Sequence, residues 1–374
     1  MSTTLKPEPS VGVIVATVAI GSAVVAGWMY SSSKKSSRPS AWGVFTPSPG
    51  SLKGKTIVIT GGTTGLGLES AKRLALGGAN VILTARTSAK GETAVTEVKE
   101  YVKEKSDNKD VSDLDTSISY KILDLDDLQS VKDAVGNWEK EFDASSPENK
   151  KRIDVLLNNA GIMAVPERQL TKDGFERQFQ SNHLGHFVLT ALLTKKLLND
   201  TARIINVSSG AYQMAFWSGL DLDYAWRAEP PESYGGWKSY GQSKLANILF
   251  TQELQRRADL AKRDWTVVCL HPGGVATDLP RNLMGAESFE KFKAGEAGWL
   301  RKKFQQAIKL VLKSVEQGAN TQVWLAAGAE DVDAKGQYFV DFGTQKVGNY
   351  AKDTAAAARL WKESEEHSGV VFTV

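Results

Sequence analysis

Short runs of β-branched and aliphatic residues alternate with longer helical stretches from Lys55 onward, and this alternation admits very few architectures. KTIVIT (55–60), NVILT (80–84), ISYKIL (118–123), IDVLL (153–157), RIINV (203–207) and WTVVCL (265–270) have the length and content of buried strands. Between them Leu66–Leu76, Leu128–Phe142, Phe175–Leu198 and Lys238–Arg257 carry apolar residues at helical spacing. Strand–helix–strand steps are right-handed, so the pattern predicts an α/β fold, a single doubly wound parallel sheet with helices on both faces. A late strand at QYFV (337–340) completes it, and the polar stretches 103–117 and 143–151 read as surface loops. In a chain of 374 residues this leaves one domain over 53–374.

The N-terminus is built differently. After a tail of residues 1–10, Val11 to Tyr30 is an uncharged run, VGVIVATVAIGSAVVAGWMY, with Lys34, Lys35 and Arg38 behind it. As a helix at about 1.5 Å per residue it reaches about 30 Å, enough to cross a bilayer core. Trp28 and Tyr30 sit where interfacial aromatics belong, and the trailing positive charge predicts that the domain stays on the cytosolic side. A cleaved secretory signal is the rival reading, although the run is long for one. Residues 31–52, rich in Ser, Pro and Gly, read as a linker. The formal net charge of +3 gives no footprint for nucleic acid. Cys269 is the sole cysteine, so no internal disulfide forms, and the four histidines lack metal-ligand spacing; no metal is expected.

The first strand ends in Thr60-Gly61-Gly62-Thr63-Thr64-Gly65-Leu66-Gly67 and runs directly into a helix. A phosphate needs close backbone approach and free N–H groups at a helix N-terminus, and glycines allow both. The signal has weight because a strand precedes it and a helix follows. A tight turn without a ligand is the alternative. Tyr240 and Lys244, four residues apart, fall one turn apart on one helix face. A free phenol with a pKa of about 10 exchanges protons poorly at neutral pH, and a nearby ammonium lowers that value. Tyr240 then gives a proton to a substrate oxygen in reduction and takes one in oxidation.

Together with Asn158-Asn159-Ala160-Gly161, Asn182, Ser209, Tyr240-Gly241-Gln242-Ser243-Lys244, Pro272-Gly273 and Thr277, in this order, the glycine turn resembles the short-chain dehydrogenase/reductase family. The likeness spans Lys53 to about Leu360. NHLGHF (182–187), YGQSKLANILF (240–250) and SVEQGA (314–319) are similar to its retinol-dehydrogenase-like branch. The resemblance implies a Rossmann-type sheet and a catalytic set of Asn182, Ser209, Tyr240 and Lys244. In it Lys244 also holds the nicotinamide ribose, Ser209 bonds the substrate carbonyl, and Asn182 orders a water leading from Lys244. Ser208 is the rival to Ser209. Cofactor contacts are implied for Gly61, Thr63, Thr64, Gly65, Leu66, Gly67, Asn159, Ala160, Gly161, Pro272, Gly273 and Thr277. Asp124 and Leu125 are implied to border adenine, although Asp124 could instead cap the helix near Asp127.

The second strand ends in Ala85-Arg86 where an NAD enzyme places an acid, and an arginine there can pair with a 2′-phosphate, so NADP(H) is the expected cofactor. Arg86 packing at the surface is the alternative. An aromatic insertion holds Tyr212, Met214, Phe216, Trp217, Tyr224, Trp226, Tyr234 and Trp237, and a second variable region spans about 281–313. There Leu300, Phe304, Ile308 and Leu312 form a stripe beside basic residues, which either packs on the core or touches a membrane. His183 and His186 read as packing residues, and His271 as lining the strand end near nicotinamide. The expected reaction interconverts a lipophilic alcohol (retinoid-like, steroid-like or long-chain) and its carbonyl. A non-catalytic NADP(H)-binding subunit of a membrane complex is the alternative. The helices over 175–198 and 238–257 are offered as faces of a homodimer. The endoplasmic reticulum is the first membrane expected, with plastid or mitochondrial membranes behind it.

Overall fold

The computed structural model describes residues 39–40, 42–106, 114–144, 153–275, 312–328 and 334–374. The run 11–30, Thr277 and nearly all of the 281–313 region, including Leu300, Phe304 and Ile308, lie outside the described residues. Among the described residues no helix is long and apolar enough to cross a membrane.

Among the described residues, eight strands form one sheet in the order β3-β2-β1-β4-β5-β6-β7-β8. They are β1 (Thr56–Ile59), β2 (Asn80–Ala85), β3 (Ile118–Ile122), β4 (Ile153–Asn158), β5 (Leu198–Val207), β6 (Thr266–Leu270), β7 (Tyr338–Val340) and β8 (Gly343–Thr344). Every neighbouring pair is parallel except β7 and β8. The order reverses between β1 and β4, which opens a crevice at the carboxyl ends of these strands. Helices α1 (Gly65–Leu76), α2 (Ser88–Lys105) and α6 (Asn320–Ala326) cover one face. The other carries α3 (Leu128–Ala144), α4 (Gly185–Lys196), α5 (Gly236–Leu260) and α7 (Thr354–Ser368).

Four differences from the sequence reading have local causes. β5 begins at Leu198 rather than Arg203, through a register shift opposite Ile153 and Val155. β8, only two residues long, is absent from that reading; Asp341 and Phe342 make the turn into it at φ of 51° and 64°. The polar stretches taken as loops begin inside helices, since α2 runs to Lys105 and α3 to Ala144. The helix expected over 175–198 is broken into Arg177–Phe179, a π-helical turn at Gln180–Leu184, and α4. Glu176 starts it, accepting from Phe179 N at 2.7 Å.

Two packing features matter for the site. Trp361 of α7 lies 5.2 Å from Phe187 of α4 and 6.0 Å from Phe250 of α5, centroid to centroid, so α7 covers part of the helices offered for a homodimer. The incoming chain is fixed by Arg73 of α1, which is fully buried. Its guanidinium donates to Phe45 O (2.7 Å), Asn320 Oδ1 (2.9 Å) and Glu316 O (2.9 Å), and it pairs with Glu69 at 3.1 Å.

Candidate active site

The glycine turn sits at the carboxyl end of β1. Gly61 has φ of 63°, and a Cβ there would stand 2.9 Å from Ala160 Cα; a Cβ on Gly67 would stand 2.4 Å from Gly61 O. Only glycine lets the turn, α1 and the Asn159–Ala160 segment come this close. Thr64 is the N-cap of α1 yet makes no side-chain cap, and the first turn holds no acidic residue. Thr64 and Gly65 are exposed, Thr63 and Leu66 partly so. The helix N-terminus therefore presents unpaired N–H groups and a positive dipole end to the crevice, which fits an anionic phosphate. Asn159 steadies the turn through Nδ2 to Thr60 O (2.9 Å).

Arg86 follows β2 and is exposed. Asp124 makes a local turn, its Oδ1 accepting from Asp126 N at 3.0 Å. Asp127 caps α3 instead, accepting from Gln129 N and Ser130 N. Leu125 is buried against Gly185, at the start of α4. Pro272 and Gly273 follow β6, and Gly273 lies over the buried Lys313, which is paired with Asp341. Leu312 touches Gly274.

Tyr240 and Lys244 both project from α5 and are buried, and the Lys244 ammonium lies 5.6 Å from the Tyr240 ring centroid. Lys244 Nζ donates to Val207 O at 3.0 Å. The Ser209 side chain stands close enough to the Tyr240 phenol to pull its pKa down. Ser208 is buried and donates to Lys244 O at 2.7 Å, whereas Ser209 is partly exposed and accepts from Ala211 N at 3.2 Å. Asn182 lies in the π-helical turn, a device that often re-aims side chains at functional sites. Its Oδ1 accepts from Ile162 N (2.8 Å), and its Nδ2 donates to Ile162 O (3.0 Å) and Ser243 Oγ (2.9 Å). Gly161 closes the group: a Cβ there would be 3.0 Å from Asn182 Oδ1 and 3.3 Å from Lys244 Nζ.

Human retinol dehydrogenase 13 is 36% identical over 326 residues, 87% of each chain. A family model described as short chain dehydrogenase matches residues 55–219. This chain belongs to the short-chain dehydrogenase/reductase family, in its retinol-dehydrogenase-like branch. It is an oxidoreductase. Among solved structures, an uncharacterised protein of Mycobacterium paratuberculosis shares 32% identity, with 89% of this chain and all of that one covered (TM-score 0.62). A blue fluorescent protein from a metagenomic library, solved with NADPH, shares 25% over 77% of this chain and 96% of its own (TM-score 0.52).

One expectation needs correction. The ammonium was expected to bring the Tyr240 phenol down toward neutrality. Burial instead pushes Tyr240 up to about 12, against the pull of the Ser209 hydrogen bond, and pushes Lys244 down to about 8. Desolvation is the largest cause of both shifts.

Of the aromatic insertion, Tyr212, Tyr224 and Trp226 are core, whereas Met214, Phe216 and Trp217 are exposed. Trp237 stands 6.0 Å from the Tyr240 ring. The sequence reading missed Thr60, whose Oγ1 accepts from Asn159 N (2.9 Å) and Ala160 N (3.0 Å), and also Ser243 and Lys313. A hydroxyl at the last strand residue before the glycines was the available signal for Thr60.

The buried His183 and His186 and the half-buried His271 predict a loss of stability in acid. Burial lowers His183 to about 3, His186 to about 4 and His271 to about 4. Below about pH 6.5 the unfolded chain protonates these rings and the native state does not, so their contribution is full above that pH and is lost on acidification. Glu176 opposes them: burial raises it to about 7, so the native state holds a proton that the unfolded state releases. A net difference of about two protons predicts that stability falls by about 2–3 kcal/mol per unit between about pH 6 and pH 5. Urea titrations at both values check this, and an unchanged midpoint refutes it.

Proposed function

We propose that the protein interconverts a lipophilic alcohol and its aldehyde or ketone using NADP(H). The observation that carries the reading is the convergence of Ser209, Tyr240 and Lys244 on one crevice beside the glycine cradle. The cradle residues Gly61, Thr63, Thr64, Gly65, Leu66 and Gly67 would hold the dinucleotide's phosphates. Asn159–Gly161, Pro272 and Gly273 would border its nicotinamide half, and Asp124 and Leu125 its adenine. Bound NADP(H) supplies the hydride. Ser209 and Tyr240 would fix the substrate oxygen by two hydrogen bonds, which sets the carbonyl carbon at the correct angle. Tyr240, a neutral phenol at pH 7, is in the state that donates a proton during reduction. Lys244 would anchor the ribose and stabilise the phenolate that remains. Asn182 would hold the Ile162 segment in place and order the water that returns a proton.

Retinoid-like, steroid-like and long-chain carbonyls are the substrate classes in view, retinoids because of the name borne by the human relative. A carbonyl screen with NADPH and with NADH tests the reading; no turnover of any hydrophobic carbonyl defeats it. Arg86 supports the choice of NADP(H), as does the neighbour solved with NADPH. Arg86→Ala is expected to weaken NADPH binding about ten- to a hundredfold and leave NADH binding within about twofold. Equal loss for both would remove the 2′-phosphate role. We propose also that Val11–Tyr30 anchors the domain at the cytosolic face of the endoplasmic reticulum, which carbonate extraction and protease protection check.

A further inference from the structure

The geometry points to His186, held as its Nδ1–H tautomer, as a positioning residue that joins the glycine-rich loop to the Tyr240–Lys244 pair. His186 Nδ1 lies 3.0 Å from Asn182 O, an atom that can only accept, so Nδ1 carries the proton. On the other side, Nε2 lies 2.8 Å from Thr60 Oγ1. Both acceptor positions of that hydroxyl are used by Asn159 N and Ala160 N. Its own proton has two acceptors in reach, Leu157 O at 3.4 Å and Nε2 at 2.8 Å. With Nδ1 protonated, Nε2 is a free acceptor and the nearer one, so it takes the proton and the ring is neutral with one donor and one acceptor. Burial and the nearby Lys244 keep it neutral.

The bonds continue without a gap. Asn182 Nδ2 donates to Ser243 Oγ at 2.9 Å, and Ser243 Oγ donates to Tyr240 O at 2.8 Å. Thr60, His186, Asn182, Ser243 and Tyr240 are all buried, so little solvent competes for these bonds. The turn that cradles phosphate and the helix that carries the phenol are thus tied through one imidazole. His183, one turn earlier, is the contrast: it bonds Ser364 and packs among Phe179, Phe187 and Phe250, a core residue.

The inference rests on the proposed oxidoreductase reading for its kinetic part only. In the full chain, His186→Phe keeps the ring's bulk and removes both polar atoms; it is expected to raise the Kd for NADPH about tenfold and lower kcat about tenfold at saturating NADPH. His186→Asn returns a donor toward Asn182 O but no link to Thr60, so kcat recovers to within about threefold while the Kd stays raised. A generally damaged core would recover neither. Nitrogen-15 spectra of histidine-labelled protein at pH 7, assigned by the signal lost in His186→Asn, are expected to show the proton on Nδ1. A proton on Nε2, or a His186→Phe variant with Kd and kcat both within twofold of the parent, overturns the inference. Should the Phe variant fail to fold, the tautomer alone decides. Should the parent reduce no carbonyl, the functional reading fails while tautomer and NADPH affinity still judge His186.

Discussion

Tyr240→Phe is expected to lower kcat for carbonyl reduction by about 10³-fold while the Kd for NADPH stays within about threefold. The substitution removes one oxygen from a buried ring and leaves the packing against Trp237 in place. Two functions leave with that oxygen: the proton donor, and one of the two hydrogen bonds that would hold the substrate. The remaining Ser209 hydroxyl cannot do both, because it has a single O–H to donate and an aliphatic hydroxyl is a far weaker acid than a phenol. Its oxygen also accepts from Ala211 N at 3.2 Å as the cap of a 3₁₀ turn. Single-turnover measurements with bound NADPH separate the proton-coupled step from binding. Activity within tenfold of the parent would remove Tyr240 from the chemistry and favour a protein that binds the dinucleotide without turnover.

Arg73→Met is the second large effect, and it acts on stability. Burial works against both charges of this pair, lowering the Arg73 pKa and raising that of Glu69. The charge is tolerated because its guanidinium fork meets three acceptors from the incoming chain and from the 316–320 segment. Methionine fills much of the space but strands Phe45 O and Glu316 O, leaves Asn320 Oδ1 with only the Phe45 N–H, and leaves the partly buried Glu69 without its cation. Removing one partner of such a pair costs about 3–5 kcal/mol, a fall in Tm of roughly 10 °C. Arg73→Lys restores the charge but not the planar fork, so it recovers only part of the loss. A methionine variant melting within about 2 °C of the parent would show that the clamp is dispensable.

Much of the architecture was legible because its signals are local. Strand runs such as NVILT and ISYKIL lie within one residue of β2 and β3, since β-branched content and length report on a few consecutive residues. The glycine turn was legible for the same reason. So was the pairing of Tyr240 with Lys244, which needs only the helical repeat.

Choices between neighbours in sequence were not legible. Ser208 and Ser209 are chemically alike, and only the fold gives Ser208 the Lys244 carbonyl as its partner. Asp124 and Asp127 are separated likewise, by which of them reaches the first N–H groups of α3. The broken helix at Asn182 keeps a helical apolar pattern, so periodicity passes over it.

The order of residues along this chain therefore settled the strand–helix alternation, the anion-ready helix start and the spacing of phenol and ammonium, because each arises within a few bonds of backbone. Folding in three dimensions decided what those groups experience. It joined Arg73 to Asn320, laid the C-terminal helix across α4 and α5, and tied Thr60 to His186. It also buried Tyr240 and Lys244 so far that desolvation dominates the pKa of each. Distances between remote segments and the polarity around a charge depend on the whole packed molecule, and no local run of residues encodes them.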